Sequence, residues 1–265
     1  MTGSVGRKVR HLPALRPILG SAVLFVLIEW VTRLNLVPVT YLPHASTVVA
    51  RIADLLVDRA FLDNLTATVL IWFICLLISM LLSVPLGVAL GSSETLFKIT
   101  SPVVNLMRPI PSVCLLPLVM LLWGTGPTMK IILVTYAMSW PILFNTIYGI
   151  HDLDHVAVET ARCFGLGPLA VLWRVGLPSA SPLIFVGVRI SASIGLIVLV
   201  SSELLSDAQT GIGAYIMRVS SAGGNLDIVY AAAAITGLLG LCINFAFLAL
   251  DRWKFAWRFF GNSPA

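Results

Sequence analysis

The chain has 265 residues, of which 58% are hydrophobic and 11% are charged, and its mean hydropathy is +0.97. In soluble domains roughly a quarter of all residues are charged, so this composition excludes a soluble enzyme and indicates an integral membrane protein. The net charge of +5 does not indicate a nucleic-acid partner, because the basic residues lie beside apolar runs and form no separate basic domain.

The apolar runs predict an all-α protein with one transmembrane domain over residues 1–265 and about six spans. Each crossing needs about 20 apolar residues, so five to seven helices fit and little chain remains for a soluble domain. In chain order we predict a basic tail 1–16, a span 17–32, an outer segment 33–64 with a short surface helix, spans 65–90, 101–123 and 128–150, a polar region 155–178, a span 183–205, an outer loop 206–227, a span 228–250 and a tail 251–265.

Local features refine three of these spans. The first apolar run could be a signal peptide, but no small-x-small cleavage site follows it and Glu29-Trp30 ends it like an interfacial anchor, so we predict an uncleaved span. Gly87 and Gly91 have a spacing that lets helices approach closely. The apolar part of the third span is short, so it can cross only if its start near Ser101 is included and Arg108 is protected inside the protein.

An even number of spans places both termini on the same side of the membrane. That side receives ten lysine and arginine residues, including those of region 155–178, against four on the opposite side. By the positive-inside tendency, both termini and region 155–178 are predicted to be cytoplasmic.

The most informative stretch runs from Glu159 to Pro178 and interrupts the apolar pattern with polar residues. Gly165 can adopt φ > 0, so two short helices could meet there at a sharp angle. Pro168 permits a helix to start just beyond the turn, because a proline in the first turn lacks only an amide that would have had no partner. The stretch is therefore predicted to be helix, turn and helix, too short and polar to span a bilayer.

The spacing of this stretch resembles the EAA signature of ABC-importer permeases. That signature has a Glu-Ala-Ala triplet, a glycine after three further residues and an apolar-x-Leu-Pro close. The matching positions here are Glu159-Thr160-Ala161, Gly165 and Val175-Gly176-Leu177-Pro178, and Thr160 replaces one alanine with another small residue. An ordinary membrane-surface loop with a helical turn is the alternative for this stretch.

Two further stretches resemble permeases of the nitrate, sulfonate and taurine importer group. One is RPIPSVCLLPLVMLLWGTG, beginning at Arg108, and the other is Ser202-Glu203-Leu204-Leu205 followed by Gly211-Ile212-Gly213-Ala214-Tyr215-Ile216. Together with the EAA-like stretch they cover most of the chain from Arg108 onward. The resemblance implies a type I ABC importer permease fold, with region 155–178 as a cytoplasmic coupling region.

The resemblance also implies partners and a mechanism. Two cytoplasmic ABC ATPase subunits would bind the coupling regions of two permease subunits in a bacterial cytoplasmic (inner) membrane. The two subunits would be two copies of this chain, a homodimer, or this chain and a similar subunit. An extracytoplasmic solute-binding protein would deliver a small solute, such as a sulfonate or nitrate anion. ATP and Mg would bind to the partner ATPase, and this chain would bind no cofactor or metal. The implied coupling residues are Glu159, Thr160, Ala161, Gly165, Leu177 and Pro178.

Charged residues within or beside the spans are candidates for the translocation pathway, because a charge at the bilayer centre costs about 2.5–3.5 kcal/mol on insertion scales. Lys130 and Glu29 lie near span ends and are predicted to snorkel to an interface. Arg108 and Arg189 either line the pathway or hold helices together. Counterparts of Glu203 in the family line the route between the outer mouth and the pore, so it has either a pathway or gate role or a plain outer-surface position.

Other classes of function find less support in the sequence. The chain contains no GxxxxGK[ST] loop, so it is predicted not to be an ATPase itself. The segment from His151 to His155 contains four possible metal ligands but directly precedes region 155–178, where charged helix starts are ordinary. An ion-coupled secondary transporter is the alternative function, although the acidic residues lie near span ends and not at the midplane. A membrane enzyme would need a catalytic cluster inside the spans, and none is evident.

Overall fold

The structure is a computed structural model that describes residues 15–34, 37–38, 41–107, 110–206, 208–223 and 225–255. All regular elements of these described residues are helices, in agreement with the predicted all-α class. They are α1 (Leu15–Arg33), α2 (Ala45–Leu55), α3 (Arg59–Gly91), α4 (Glu94–Met107), a 3₁₀ helix (Ser112–Leu115), α5 (Leu116–Trp123), α6 (Pro127–His151), α7 (His155–Cys163), α8 (Pro168–Val171), a π-helical turn (Leu172–Gly176), α9 (Leu177–Leu205), α10 (Ile212–Ser221) and α11 (Leu226–Lys254).

The chain divides into two compact units, of which the smaller comprises residues 1–58 and 218–235. Within it, the carboxylate of Glu29 on α1 accepts hydrogen bonds from the amide and hydroxyl of Ser46, at 3.1 and 2.9 Å, in the first turn of α2. Arg51 on α2 donates through Nε to Asp227 at the start of α11, at 2.7 Å. Hydrogen bonds to Asp227 and Asp54 raise the pKa of Arg51. Polar bonds thus hold this small unit together, and Glu29, predicted to be an interfacial anchor, is a bonding partner of α2.

The larger unit comprises residues 59–217 and 236–265, and its core lies between α3, α6 and α9. The side chains of Cys75, Met138 and Leu199, one from each of these helices, are fully buried. Trp72 on α3 donates its indole N–H to the carbonyl of Ala192 on α9 at 2.8 Å. A buried hydrogen bond of this kind satisfies the one polar group of an otherwise apolar side chain.

Small residues allow these helices to approach closely. A Cβ built at Gly87 on α3 would lie 2.6 Å from Cβ of Thr146 on α6, and one at Gly91 would lie 2.6 Å from the carbonyl oxygen of Ile147. On α9, a Cβ at Gly187 would lie 2.8 Å from the carbonyl oxygen of Pro141. The spacing of Gly87 and Gly91 permits close approach of another helix, and in the structure that helix is α6.

Four helices among the described residues are long and apolar enough to cross a membrane, and they contain the predicted spans 65–90, 128–150, 183–205 and 228–250. A fifth crossing is possible if the helices Glu94–Met107 and Ser112–Trp123, which are bent relative to each other, form one broken span. The predicted span 17–32 lies within α1, and its crossing stays a prediction.

The predicted third span, 101–123, is not one continuous helix. Helix α4 begins at Glu94 and ends at Met107, and helical structure resumes at Ser112. Pro111, just before Ser112, has an extended backbone with φ −70° and ψ 113° and supplies no amide hydrogen to a helix. The second predicted span also starts earlier than expected, because α3 begins at Arg59, inside the predicted outer segment 33–64. The short surface helix predicted in that segment corresponds to α2.

We predict that Gly87→Ala lowers the melting temperature of the purified protein in mild detergent, because the added methyl group overpacks the α3–α6 contact at a cost of about 1–3 kcal/mol. Gly237→Ala is the matched control, since a Cβ at Gly237 on α11 meets nothing within 4 Å. This second change should leave stability equal or raise it by up to about 1 kcal/mol through helix propensity. Equal melting temperatures for the two variants would contradict the close contact.

Candidate coupling segment and buried carboxylate cluster

Residues 155–178, which we call the coupling segment, begin with a capped helix. The carboxylate of Asp154 accepts a hydrogen bond from the amide of Val156 at 2.9 Å and thereby caps α7. The helix ends at Cys163, and Gly165 follows with φ +81°. The amide of Leu166 bonds back to the carbonyl of Ala161 at 3.2 Å, which closes the helix end. The predicted turn with positive φ at Gly165 is therefore confirmed.

The second half of the coupling segment leads directly into a membrane-spanning helix. Pro168 opens α8 as its first residue, a π-helical turn follows, and α9 begins at Leu177. Residues 168–205 together form one apolar helical run of 38 residues. At a rise of about 1.5 Å per residue this run is about 57 Å long. One helix therefore connects the turn at Gly165 with the far end of α9.

The predicted coupling residues occupy different faces of this segment. Glu159 and Thr160 are exposed, and the hydroxyl of Thr160 donates a hydrogen bond to the carbonyl of Val156 at 2.7 Å. Ala161 is buried, which explains why a small residue stands there. Leu177 is half-buried and Pro178 is exposed, at the first turn of α9.

Several large apolar side chains of the coupling segment are exposed. Val156, Phe164, Leu169 and Trp173 have exposed fractions of 70%, 83%, 68% and 65%. Beside them is a cleft of about 710 Å³, lined by both apolar residues and charged ones that include Glu94, Glu159 and Arg162. Exposed apolar side chains rimmed by charges are typical of a surface that binds another protein. Phe164 and Trp173 lie outside the EAA-like pattern, although aromatic residues in a polar interruption are a usable signal in the sequence.

The segment from His151 to His155 has structural contacts that account for two of its members. The ring of His151 stacks on Phe97 with 3.7 Å between ring centroids, and its Nε2 lies 3.8 Å from a carboxylate oxygen of Glu94. Asp154 caps α7, as described above. Within the part of the chain that the structure describes, no three His, Cys, Asp or Glu residues are grouped as metal ligands would be.

A second polar site lies near the far end of α9, where a carboxylate is fully buried. Glu203 has an exposed fraction of 0%, and the ammonium of Lys130 on α6, itself 1% exposed, lies 3.3 Å from its Oε1. Thr68 on α3 donates its hydroxyl to the same carboxylate at 3.0–3.1 Å. The amide of Gly213 in α10 donates to Oε2 at 3.1 Å. We call Thr68, Lys130, Glu203 and Gly213 the carboxylate cluster; it joins four helices.

The glycines of the Gly211-Ile212-Gly213 stretch are required by this cluster. Gly211 has φ +117°, and a Cβ there would lie 2.1 Å from the carboxylate carbon of Glu203. A Cβ at Gly213 would lie 2.6 Å from the carbonyl oxygen of Val200. The backbone amides of Gly211 and Ile212 donate to Asn64 Oδ1 and Thr68 Oγ1, each at 2.9 Å. Only a backbone without side chains can approach the carboxylate this closely.

The cluster corrects two expectations from the sequence. Lys130 does not snorkel to an interface. Its side chain is buried, and its ammonium group pairs with Glu203 and donates to the carbonyl of Thr210. Glu203 does not occupy a plain outer-surface position, since it is fully buried. Pairing and hydrogen bonding make the burial of both charges tolerable. Periodicity could not reveal this pair, because its members are far apart in sequence.

The other two pathway candidates divide differently. Arg189 on α9 donates through Nε to Asn244 Oδ1 on α11, at 3.1 Å, and thus links two helices. This contact agrees with the helix-holding alternative for Arg189. Arg108 lies outside the described residues, so its role stays a prediction.

Comparison with solved structures shows which class of protein has this fold. The chain matches a structure of the MetNI methionine ABC transporter in an inward-facing conformation, with a TM-score of 0.64 at 18% identity, over 73% of this chain and 95% of that one. A structure of an amino acid ABC transporter matches with a TM-score of 0.57 at 17% identity, over 73% of this chain and 93% of that one. The fold is therefore that of type I ABC importer permeases.

The family follows from sequence comparison. A family model described as "binding-protein-dependent transport system inner membrane component" matches residues 83–255. The taurine transport system permease protein TauC of Escherichia coli is 30% identical over 91% of this chain and 89% of its own length. The nitrate import permease protein NrtB of Leptolyngbya laminosa is 26% identical over 72% and 71% of the two chains. The chain belongs to this permease family and is a transporter subunit, as the EAA-like stretch predicted.

We predict that Lys130→Met destabilises the protein by about 3–5 kcal/mol, because it leaves the buried carboxylate of Glu203 without its cation. The double variant Lys130→Met with Glu203→Gln should recover part of this loss, since it removes both charges. Thermal unfolding in detergent measures both effects.

Lys98→Met is the control for this pair. Lys98 also pairs with a glutamate, Glu94, at 3.0 Å, but the two side chains are 71% and 63% exposed. An exposed pair of this kind contributes at most about 1 kcal/mol. If Lys130→Met proved as stable as Lys98→Met, the interpretation of the cluster as a buried, mutually dependent pair would be wrong.

Proposed function

We propose that this chain is the membrane-spanning subunit of an ABC importer, driven by a separate cytoplasmic ATPase that binds the coupling segment. The exposed apolar side chains of that segment carry this proposal. Phe164 precedes the helical run over residues 168–205 and Trp173 lies near its start, and both are large exposed aromatic residues. Such residues contribute disproportionately to binding when a partner covers them.

In this mechanism, ATP and Mg bind to the partner ATPases, and this chain makes and breaks no covalent bond. Closure of the ATPases moves the coupling segments of two permease copies toward each other. Because residues 168–205 form one helical run, that movement is transmitted along α9. Glu203, near the end of α9, would then act as part of a gate that alternates access to the two sides.

Several features of the assembly follow from the same proposal. Both termini and the coupling segment face the cytoplasm of a bacterial cell, which agrees with the excess of basic residues on that side. An extracytoplasmic binding protein docks on the opposite side and delivers the solute. A homodimer of this chain is the simplest arrangement. The sequence relatives include proteins named for taurine, aliphatic sulfonates and nitrate, which supports a small anion as the solute.

The proposal predicts that Phe164→Ala reduces copurification of the ATPase with the membrane-extracted chain. Loss of a buried aromatic anchor costs about 2 kcal/mol or more, which corresponds to about 30-fold in affinity. Tyr41→Ala is the control, because Tyr41 is 71% exposed but lies outside the coupling segment. Normal recovery of the ATPase with Phe164→Ala, at a level equal to Tyr41→Ala, would contradict the assignment of this surface.

A pair of glycine variants tests the turn itself. Gly165→Ala should impair solute uptake while leaving membrane insertion intact, because an alanine at φ +81° costs about 1–2 kcal/mol. Gly167→Ala should transport normally, since Gly167 has φ −69° and a Cβ there meets nothing within 4 Å. Uptake is measured in proteoliposomes or cells. In a further condition, ATP is depleted while the proton gradient is maintained. Uptake that persists in that arm would indicate an ion-coupled transporter and refute the proposal.

A further inference from the structure

An aromatic stack joins α4 to the last residue of α6, just before the coupling segment. The rings of Phe97 and His151 lie parallel, with 3.7 Å between their centroids and 8° between their planes. Phe97 also meets Tyr148 edge-on at 5.9 Å, and it packs against a buried apolar cluster that includes Val104 of α4 and Ile147 of α6. The first turns of α4 are therefore held against the end of α6 partly by the ring of His151.

A carboxylate stands beside the same imidazole. Oε2 of Glu94, in the first turn of α4, lies 3.8 Å from Nε2 of His151, which is too long for a hydrogen bond but within the range of an ion pair. The side chain of Glu94 is 63% exposed, and its other oxygen pairs with Lys98 at 3.0 Å. Because an exposed pair of this kind holds its members weakly, Glu94 can rotate toward His151 at little cost.

The charge of His151 decides how strongly these groups attract each other. A neutral imidazole keeps only the stack on Phe97. An imidazolium adds an ion pair with Glu94, attraction to the face of the Phe97 ring, and attraction to the carbonyl end of α6, in whose last turn it lies. Histidine changes its charge between pH 5 and 8, so the contact between α4 and α6 tightens as the pH falls through that range.

Further charged and titratable groups face this region from α4, from the turn after α6 and from the coupling segment: Lys98, Asp152, Asp154, His155, Glu159 and Arg162. Lys98 competes with His151 for the carboxylate of Glu94. Asp154 is engaged in capping α7. His155 is a second imidazole that lines the cleft beside the coupling segment, and it lies at the exposed start of α7. It therefore supplies a control for the effect of charge in the cleft without the stack.

The end of α6 is connected to the coupling segment in two ways. Along the chain, α7 begins four residues after His151. Through packing, a Cβ at Gly176 in the π-helical turn would lie 3.3 Å from Cδ1 of Leu153, and a Cβ at Gly149 would lie 3.2 Å from Cβ of Ala180 on α9. A movement of the coupling segment therefore has to displace the end of α6 as well, and whatever fixes that end resists the movement.

We propose that His151 is a proton-sensitive clasp, whose protonation draws in Glu94, fixes α4 against the end of α6 and slows transport. This inference rests on the proposed function, in which the coupling segment moves when the ATPases close, and it adds regulation by the pH on the side of the coupling segment. Acidification on that side tightens the clasp and reduces uptake. His151 acts as a positioning residue, because it holds a helix end and touches no solute.

The first test is the pH profile of ATP-driven uptake by the reconstituted importer, with the pH varied on the side of the coupling segment. His151→Phe keeps an aromatic ring on Phe97 but cannot take up a proton. Between pH 8 and pH 6, uptake by the wild type should fall about two- to fivefold further than uptake by His151→Phe, the effect of one partly exposed ion pair. Glu94→Gln should weaken the response in the same direction.

His155→Gln is the control for this profile, because it removes the other imidazole of the cleft and leaves the stack in place. Its response to pH should follow that of the wild type, whatever its overall rate. Identical profiles for the wild type and His151→Phe would overturn the inference. A loss of the response in His155→Gln as large as that in His151→Phe would overturn it too.

The second test needs only the purified chain, so it distinguishes a failure of this inference from a failure of the proposed function. Amide hydrogen exchange of residues 94–107, corrected for the intrinsic effect of pH, should be about two- to fivefold slower at pH 6 than at pH 8 in the wild type and in His155→Gln. The difference should be lost from His151→Phe and reduced in Glu94→Gln. Equal protection at both pH values in the wild type would refute the clasp, even with uptake driven by ATP. Uptake that persists without ATP, with the pH-dependent protection intact, would instead refute the importer proposal.

Discussion

The buried carboxylate of Glu203 constrains much of the larger unit. An isolated charge in this position would be costly, so the chain must supply a cation and hydrogen-bond donors from several helices. Lys130, Thr68 and the amide of Gly213 provide them from α6, α3 and α10. Because each donor comes from a different element, the pairing of one carboxylate fixes the relative positions of four helices. The two glycines beside it follow from the same constraint, since a Cβ at either would collide with the cluster or its backbone.

The long helical run over residues 168–205 connects the carboxylate cluster to the coupling segment. It starts beside the turn at Gly165 and ends two residues beyond Glu203. A helix that is hydrogen-bonded along its length resists compression, so a displacement at one end reaches the other. The run contains a π-helical turn at Leu172–Gly176, and such turns are frequent at functional sites. The coupling segment and the carboxylate cluster are thus two ends of one element, although they lie far apart.

The sequence was sufficient for those features that depend on local order. Composition and apolar runs predicted the helical membrane class, and the spacing from Glu159 to Pro178 predicted the turn at Gly165. Tertiary pairings were not accessible in the same way, because nothing in the neighbourhood of Lys130 indicates a bond to a residue 73 positions away. A lysine near a span end has two physical solutions, snorkelling or pairing, and only the position of Glu203 decides between them. The break before Ser112 could not be inferred from proline alone, since Pro85, Pro141 and Pro182 lie inside continuous helices.

The charges of the buried pair limit what the carboxylate cluster can do. Lys130 and Glu203 neutralise each other, so the cluster offers little net attraction to an anion and suits a structural or gating part. Either charge left alone would be buried without a partner, so a movement of α9 that displaced Glu203 would also have to displace Lys130 or supply another cation. The pair therefore couples the position of α6 to that of α9.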